Sequence, residues 1–192
     1  MTTSLPIVDF YLREGGEFVT KTTKDILAGK RTVLFMLPGA FTPTCSEQQL
    51  PGYEAAYDDL IELGAEQVLC LSVNDAFVMN AWGESLGIEK VKLIPDGNGA
   101  FTAGIKAAVG KENVGMGARA WRLAMIVSAS GVPEWIGVEE GQRSNASDDP
   151  YVNSTPEAAK AALAQLNLAA AAAELAERDA AADVAELVVP AL

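Results

Sequence analysis

The residues best able to do chemistry lie between Pro38 and Glu47, which read Pro-Gly-Ala-Phe-Thr-Pro-Thr-Cys-Ser-Glu. An apolar run, Val33 to Leu37, precedes them, and Gln48-Gln49-Leu50-Pro51-Gly52-Tyr53 follows. This order predicts a buried strand, a short Pro/Gly loop and a helix with Cys45 in its first turn. A thiol there meets unpaired backbone N–H groups and the positive end of the helix dipole, both of which favour thiolate. The chemistry indicated is that of nucleophilic sulfur. Cys70 lies in the apolar run Val68-Leu69-Cys70-Leu71 and reads as a core thiol. The chain has only these two cysteines, no CxxC pair and no histidine. That excludes a disulfide framework, Cys-His catalysis and the common thiolate or imidazole metal sites. No metal and no cofactor are expected.

A free thiol ionises near pH ~8.5. Keeping it mostly thiolate at neutral pH needs a fall of about two units, roughly 3 kcal/mol. A helix N-terminus contributes about 0.3–1 kcal/mol, and up to ~2 where partly buried. Glu47 works against it, so a cation is required. Arg122 opens the apolar run Leu123 to Val127, from which a core strand could hold it rigidly beside the loop. Arg119, which follows Gly115-Met116-Gly117, is its rival, and spacing slightly prefers Arg122. Arginine suits the task because it stays charged and presents a fixed fork of donors. Thr42 can set its hydroxyl next to the sulfur, while Pro38 and Pro43 stiffen the loop and keep water from one side.

The elements that must position these groups are read from periodicity. An edge segment over 7–12 and 18–20 and a turn over 23–27 come first, then the strand 32–37 and a helix over 44–63, broken near Pro51-Gly52 and closed by Gly64. A second apolar strand over 67–73 completes a βαβ unit. The pattern then predicts a helix over 76–86 between an Asn74 or Asp75 cap and Gly87, a strand over 91–94, and a helix over 100–108. A hairpin is expected over 120–128 and 132–138, followed by a polar acidic loop over 139–150. Ser154 or Thr155 caps a last helix with Pro156 at its first position. From Asn167 the chain becomes alanine-rich, which favours helix but buries little, so this end is expected to need a partner surface. Trp82, Trp121 and Trp135 read as core or interface groups, and Gly97 with Gly99 is too weak a pattern for a phosphate loop.

The 192 residues fit one domain with an appendage, and the net charge of −12 argues against nucleic acid or an anionic membrane as partner. It would not repel a neutral molecule such as a peroxide. Without an apolar stretch of membrane-spanning length or a secretory leader, a cytoplasmic protein is expected.

Residues Pro38 to Cys45 match the signature Pro-x-x-x-Thr-x-x-Cys. With Leu50 to Tyr53 and Cys70 to Val78 they make the chain resemble the peroxiredoxins, in particular the peroxiredoxin 5 and plant type II subfamily with its glutaredoxin-fused bacterial members. The resemblance spans roughly residues 3 to 166. It implies an α/β, thioredoxin-like fold over residues 1–166, a central mixed sheet flanked by helices, with 167–192 an added Ala-rich helical extension. It implies a thiol-dependent peroxidase that reduces hydrogen peroxide and small organic hydroperoxides. Cys45 is then the peroxidatic cysteine and passes through a sulfenic acid. Thr42 bonds sulfur and peroxide, Pro38 shields them, and Arg122 with the N–H groups near Thr44 and Cys45 meets the charge spreading onto oxygen. Gln49 departs from the family, most of which carries histidine there. No cysteine after Cys70 can act as a resolving thiol. A one-cysteine enzyme is implied, reduced by an outside thiol, glutathione with glutaredoxin in preference to thioredoxin. The family usually pairs as a homodimer near the active-site loops. A reading from another class is a redox sensor or holdase-like binding protein in which oxidation of Cys45 changes the partners of the tail. A dithiol oxidoreductase is disfavoured because Thr42 stands where the first cysteine of a CxxC pair would be.

Overall fold

Strands with no polar residue at their centres must be covered on both faces, and two such strands form the middle of the sheet. In the computed structural model, which describes residues 4–187, these are β3 (Thr32–Leu37) and β4 (Gln67–Ser72), every residue of both being buried. They pair in parallel, Phe35 opposite Cys70, and β4 pairs in parallel with β5 (Lys92–Pro95). On the other side β8 (Leu123–Val127) runs antiparallel to β3, and β9 (Pro133–Val138) antiparallel to β8. The order β5-β4-β3-β8-β9 is the mixed sheet expected of a thioredoxin-like fold. Alternate side chains feed two cores. Val33, Phe35, Val68, Cys70, Ala124 and Ile126 point to one face, and Leu34, Met36, Leu69, Leu71, Met125 and Val127 to the other.

The first face is covered by α2 (Leu50–Ala55), α3 (Tyr57–Glu62), α4 (Ala76–Leu86) and the start of α6 (Pro156–Leu187), through Tyr53, Leu60, Trp82 and Leu163. The second is covered by the hairpin of β1 (Asp9–Glu14) and β2 (Glu17–Thr22), by α1 (Thr23–Leu27) and by α5 (Ala100–Gly104), through Phe10, Leu27 and Phe101. Asp75 caps α4 by accepting the Val78 N–H at 3.0 Å, and Gly87 closes it at φ 63°. Thr155 caps α6, its hydroxyl accepting the Ala158 N–H at 3.2 Å.

Three expectations are corrected. The helix after Cys45 is not broken at Pro51-Gly52. A π turn over Cys45–Gln49 sends the Leu50 N–H back to the Cys45 carbonyl, so Pro51 falls in the first turn of α2, where it has no bond to lose. The break comes at Ala56, with φ −86° and ψ 2°. The helix expected over 100–108 ends at Gly104, and Ala108–Gly110 (β6) instead pairs with Ala118–Ala120 (β7). The hairpin expected from residue 120 therefore starts later, Trp121 and Arg122 leaving the ladder before β8 begins. The expected Ala-rich extension continues α6 without interruption through Leu187, residues 168–178 being exposed throughout. Its residues 188–192, and residues 1–3 of the expected domain, lie outside the described residues.

Candidate active site

Chain direction brings the site together. β3 delivers Pro38 and Gly39, both buried, to the C-terminal edge of the sheet, and the loop turns at Phe41 (φ 62°) into the π turn. The loop is held from β4's side. Asn74 accepts the Ala40 N–H at 3.0 Å and the Ser72 hydroxyl at 2.8 Å, which is why Asp75 rather than Asn74 caps α4. Trp82 on α4 donates its indole N–H to the Ser46 hydroxyl at 3.0 Å and pins the turn behind Cys45. Tyr53 stacks on Phe35 with ring centroids 3.9 Å apart and closes the apolar side.

Cys45 is fully buried, and Arg122, 77 residues away in sequence, brings Nη1 to 3.5 Å from its Sγ. The same nitrogen donates to Gln49 Oε1, one helical turn beyond Cys45. Nη2 pairs with Asp149 Oδ1 at 2.6 Å. The guanidinium carbon lies 5.7 Å from the centre of the Tyr151 ring. Burial works against the Arg122 charge, but the sulfur and the Asp149 carboxylate more than offset it and hold the group above its ordinary value. A full charge pair at about 4 Å in an effective dielectric of ~20 is worth about 4 kcal/mol. Asp149 draws part of that field away from the sulfur.

Sequence reasoning brought Arg122 and Cys45 together correctly in space. Arg119 also reaches the loop, its Nη1 lying 3.1 Å from where a Cβ on Gly39 would sit, yet its donors go to the carbonyls of Met116 and Val73. The Thr42 hydroxyl is not bonded to sulfur. It donates to the Gly39 carbonyl at 2.8 Å, because the tight turn leaves that oxygen in its reach, and its oxygen keeps its capacity to accept. Thr44 is half-buried at the start of the turn. Cys70 sits in the same core as Cys45, and burial first, then the neighbouring sulfur, push its thiol well above the ordinary range. The weak Gly97-Gly99 pattern is explained structurally. Asp96 turns its carboxylate onto the N–H groups of Phe101 and Thr102, so those amides are already satisfied. Asp149, Tyr151 and Asn74 were missed as site residues, and Gln49 was noted as a departure from the family's histidine but given no role. Only Gln49 carried a local signal, its i+4 spacing from Cys45.

Residues 4–153 match the redoxin family. A peroxiredoxin of Sinorhizobium fredii is 57% identical over 137 residues, which cover 71% of this chain and 72% of that one. The chain belongs to the peroxiredoxin family. Within the peroxiredoxins it is of the type II/peroxiredoxin 5 kind. It is similar to the chloroplastic peroxiredoxin-2E of Arabidopsis thaliana, at 44% identity over 129 residues, 66% of this chain and 55% of that one. Its fold matches reduced Prx3 of Vibrio vulnificus, a structure solved in complex with hydrogen peroxide, with a TM-score of 0.75, 37% identity and coverage of 83% of this chain and 96% of that one. As a peroxiredoxin the protein is an oxidoreductase, a thiol-dependent peroxidase.

Proposed function

We propose that Cys45 is the peroxidatic cysteine of a one-cysteine peroxidase for hydrogen peroxide and small organic hydroperoxides. The observation that carries this is the Arg122 guanidinium 3.5 Å from the Cys45 sulfur in a site closed on its other sides. The thiolate attacks the terminal oxygen of ROOH, an S–O bond forms as the O–O bond breaks, and the sulfur loses two electrons to the leaving alkoxide. The sulfenic acid keeps the hydrogen of the attacked oxygen, and the alkoxide takes a proton from solvent to leave as alcohol, or as water from hydrogen peroxide. Thr42, its own hydrogen committed to Gly39, accepts the peroxide O–H. Arg122 and the N–H groups near Thr44 and Cys45 meet the charge that develops on oxygen. Pro38, buried at the end of β3, closes the floor against water.

The sulfenic acid then needs an outside thiol, since no cysteine follows Cys70 and Cys70 is sealed in β4 as a neutral thiol. Glutathione with glutaredoxin is the favoured donor, thioredoxin the second. We place the enzyme in the cytoplasm, where free thiols persist, as a homodimer joined near the loop that exposes Phe41. Steady-state peroxide consumption with the glutathione/glutaredoxin and thioredoxin systems side by side tests the reading. Cys45→Ser should abolish turnover, and Arg122→Ala should lower kcat/KM by about 10²–10³. Equal activity in Cys45→Ser would overturn it.

A further inference from the structure

We propose that Asp149 is a positioning residue for Arg122: it fixes which guanidinium nitrogen faces Cys45 and withdraws part of the positive charge from the sulfur. The inference rests on the reading of Cys45 and Arg122 given above. Arg122 is buried, 1% exposed, and among the described residues two groups besides the sulfur take its protons, Gln49 at Nη1 and Asp149 at Nη2. Its Nε has no partner among the described residues. Gln49 holds one corner from the π turn with a neutral oxygen. Asp149 holds the opposite corner with a charge, at 2.6 Å, and is itself 44% exposed.

A half-exposed carboxylate can hold a partner in place only if its own backbone is fixed. Here the loop before Asp149 is tied to the β6–β7 hairpin, Asn145 donating its N–H to the Gly110 carbonyl at 2.7 Å and the buried Lys111 its ammonium to the Ala146 carbonyl at 3.0 Å. Just after it, Glu139 Oε1 gathers the N–H groups of Val152, Asn153 and Ser154 at 2.8 to 2.9 Å. Asp149 is thus set between two anchored segments. The titratable groups facing the guanidinium are Cys45 from the π turn and Asp149 and Tyr151 from the loop, with Glu139 and Glu157 acting on Tyr151.

Charge and position make separable demands. Asp149→Asn keeps an acceptor oxygen in place but leaves the guanidinium's full charge facing the sulfur, so thiolate should form at lower pH. A thiolate so stabilised is a weaker nucleophile, its reactivity falling with a Brønsted slope of about 0.4–0.5. Asp149→Ala removes the anchor and lets the fork turn away. The test measures ultraviolet thiolate absorbance and iodoacetamide alkylation of Cys45 against pH, together with kcat/KM for hydrogen peroxide, all in the full-length reduced protein. In Asp149→Asn the half-point of thiolate formation should fall by about half a unit or more, and the rate at full ionisation by about twofold. In Asp149→Ala kcat/KM should fall about tenfold, with Asp149→Glu recovering part of it. Half-points unmoved or raised in Asp149→Asn, or rates within twofold in Asp149→Ala, overturn the proposal. The alkylation profile does not depend on peroxidase turnover, so a shifted profile in a protein that consumes no peroxide would sink the proposed function and leave this inference standing.

Discussion

Two sulfurs in one core have opposite electrostatic surroundings, and that difference is measurable. Cys45 faces a guanidinium, whereas Cys70 sits in the apolar core with the other sulfur nearby, so its thiol is pushed well above its ordinary value, burial being the larger cause. The sign follows from linkage. In the unfolded chain Cys70 ionises near pH about 8.5, while in the folded chain it keeps its proton, so above that pH the unfolded state binds fewer protons and stability falls as pH rises. Below that pH the contribution is flat. Denaturant unfolding under reducing conditions at about pH 8 and about pH 10 should show the parent losing roughly 2 kcal/mol more than Cys70→Ala over that interval. Equal losses would mean that Cys70 titrates like a free thiol. The same contrast explains what was legible at this scale. Cys45 and Cys70 were told apart because their neighbours in sequence differ, and Arg122 was found because a charge opening an apolar strand has few places to go. Asp149 was not, because it is one of two adjacent aspartates. Its twin Asp148 pairs with Arg143 instead, and only the folded loop decides which carboxylate turns inward.

At the scale of elements, strands and helices with strong periodicity were read correctly, and two of the three misses share one cause. β6 and β7 are three residues each, Ala-Val-Gly and Ala-Arg-Ala, too short and too small in side chain to show alternation. What holds that hairpin is the loop after β9, through Lys111 and Asn145, and no local pattern encodes a contact some 35 residues away. Glu139 is the hinge of this arrangement. It is 1% exposed, and one carboxylate oxygen receives three backbone N–H groups and the Ser154 hydroxyl, joining the end of β9 to the start of α6. Its backbone carbonyl takes the Trp121 indole N–H at 2.7 Å. Glu139→Leu leaves those donors without an acceptor, so it should cost about 3 kcal/mol of unfolding free energy in denaturant titration. Because Tyr151 and Asp149 hang from the same segment, peroxide turnover should fall with it. A loss under about 1 kcal/mol would show that water replaces the carboxylate at no great cost.

For the whole molecule the question is where the folded unit ends, since α6 runs on through residues 168–178, all of them exposed. Alanine keeps it helical, but Leu168 and Leu175 are 72% and 59% exposed and contribute nothing to either core. A boundary at 166/167 was expected from composition, where bulky residues give way to alanine. Contacts to the rest of the fold extend to Asn167. Asn167 accepts a hydrogen bond from Arg31 Nη1 at 2.7 Å and donates one to the Leu63 carbonyl at 2.8 Å, joining α6 to the end of α3 and to the residue before β3. Arg31 in turn pairs with Glu134 on β9, so Asn167 closes a small polar network across one end of the sheet. Two truncations one residue apart should therefore behave differently. A chain ending at Asn167 keeps both bonds and should retain the melting temperature within about 2 °C and the peroxide turnover of the parent. A chain ending at Leu166 loses two partly exposed hydrogen bonds, about 1–2 kcal/mol together, and should melt about 3–6 °C lower with its activity intact. If both truncations melt together well below the parent, the exposed stretch of α6 carries stability through a surface beyond this fold, and the unit that folds extends past Asn167.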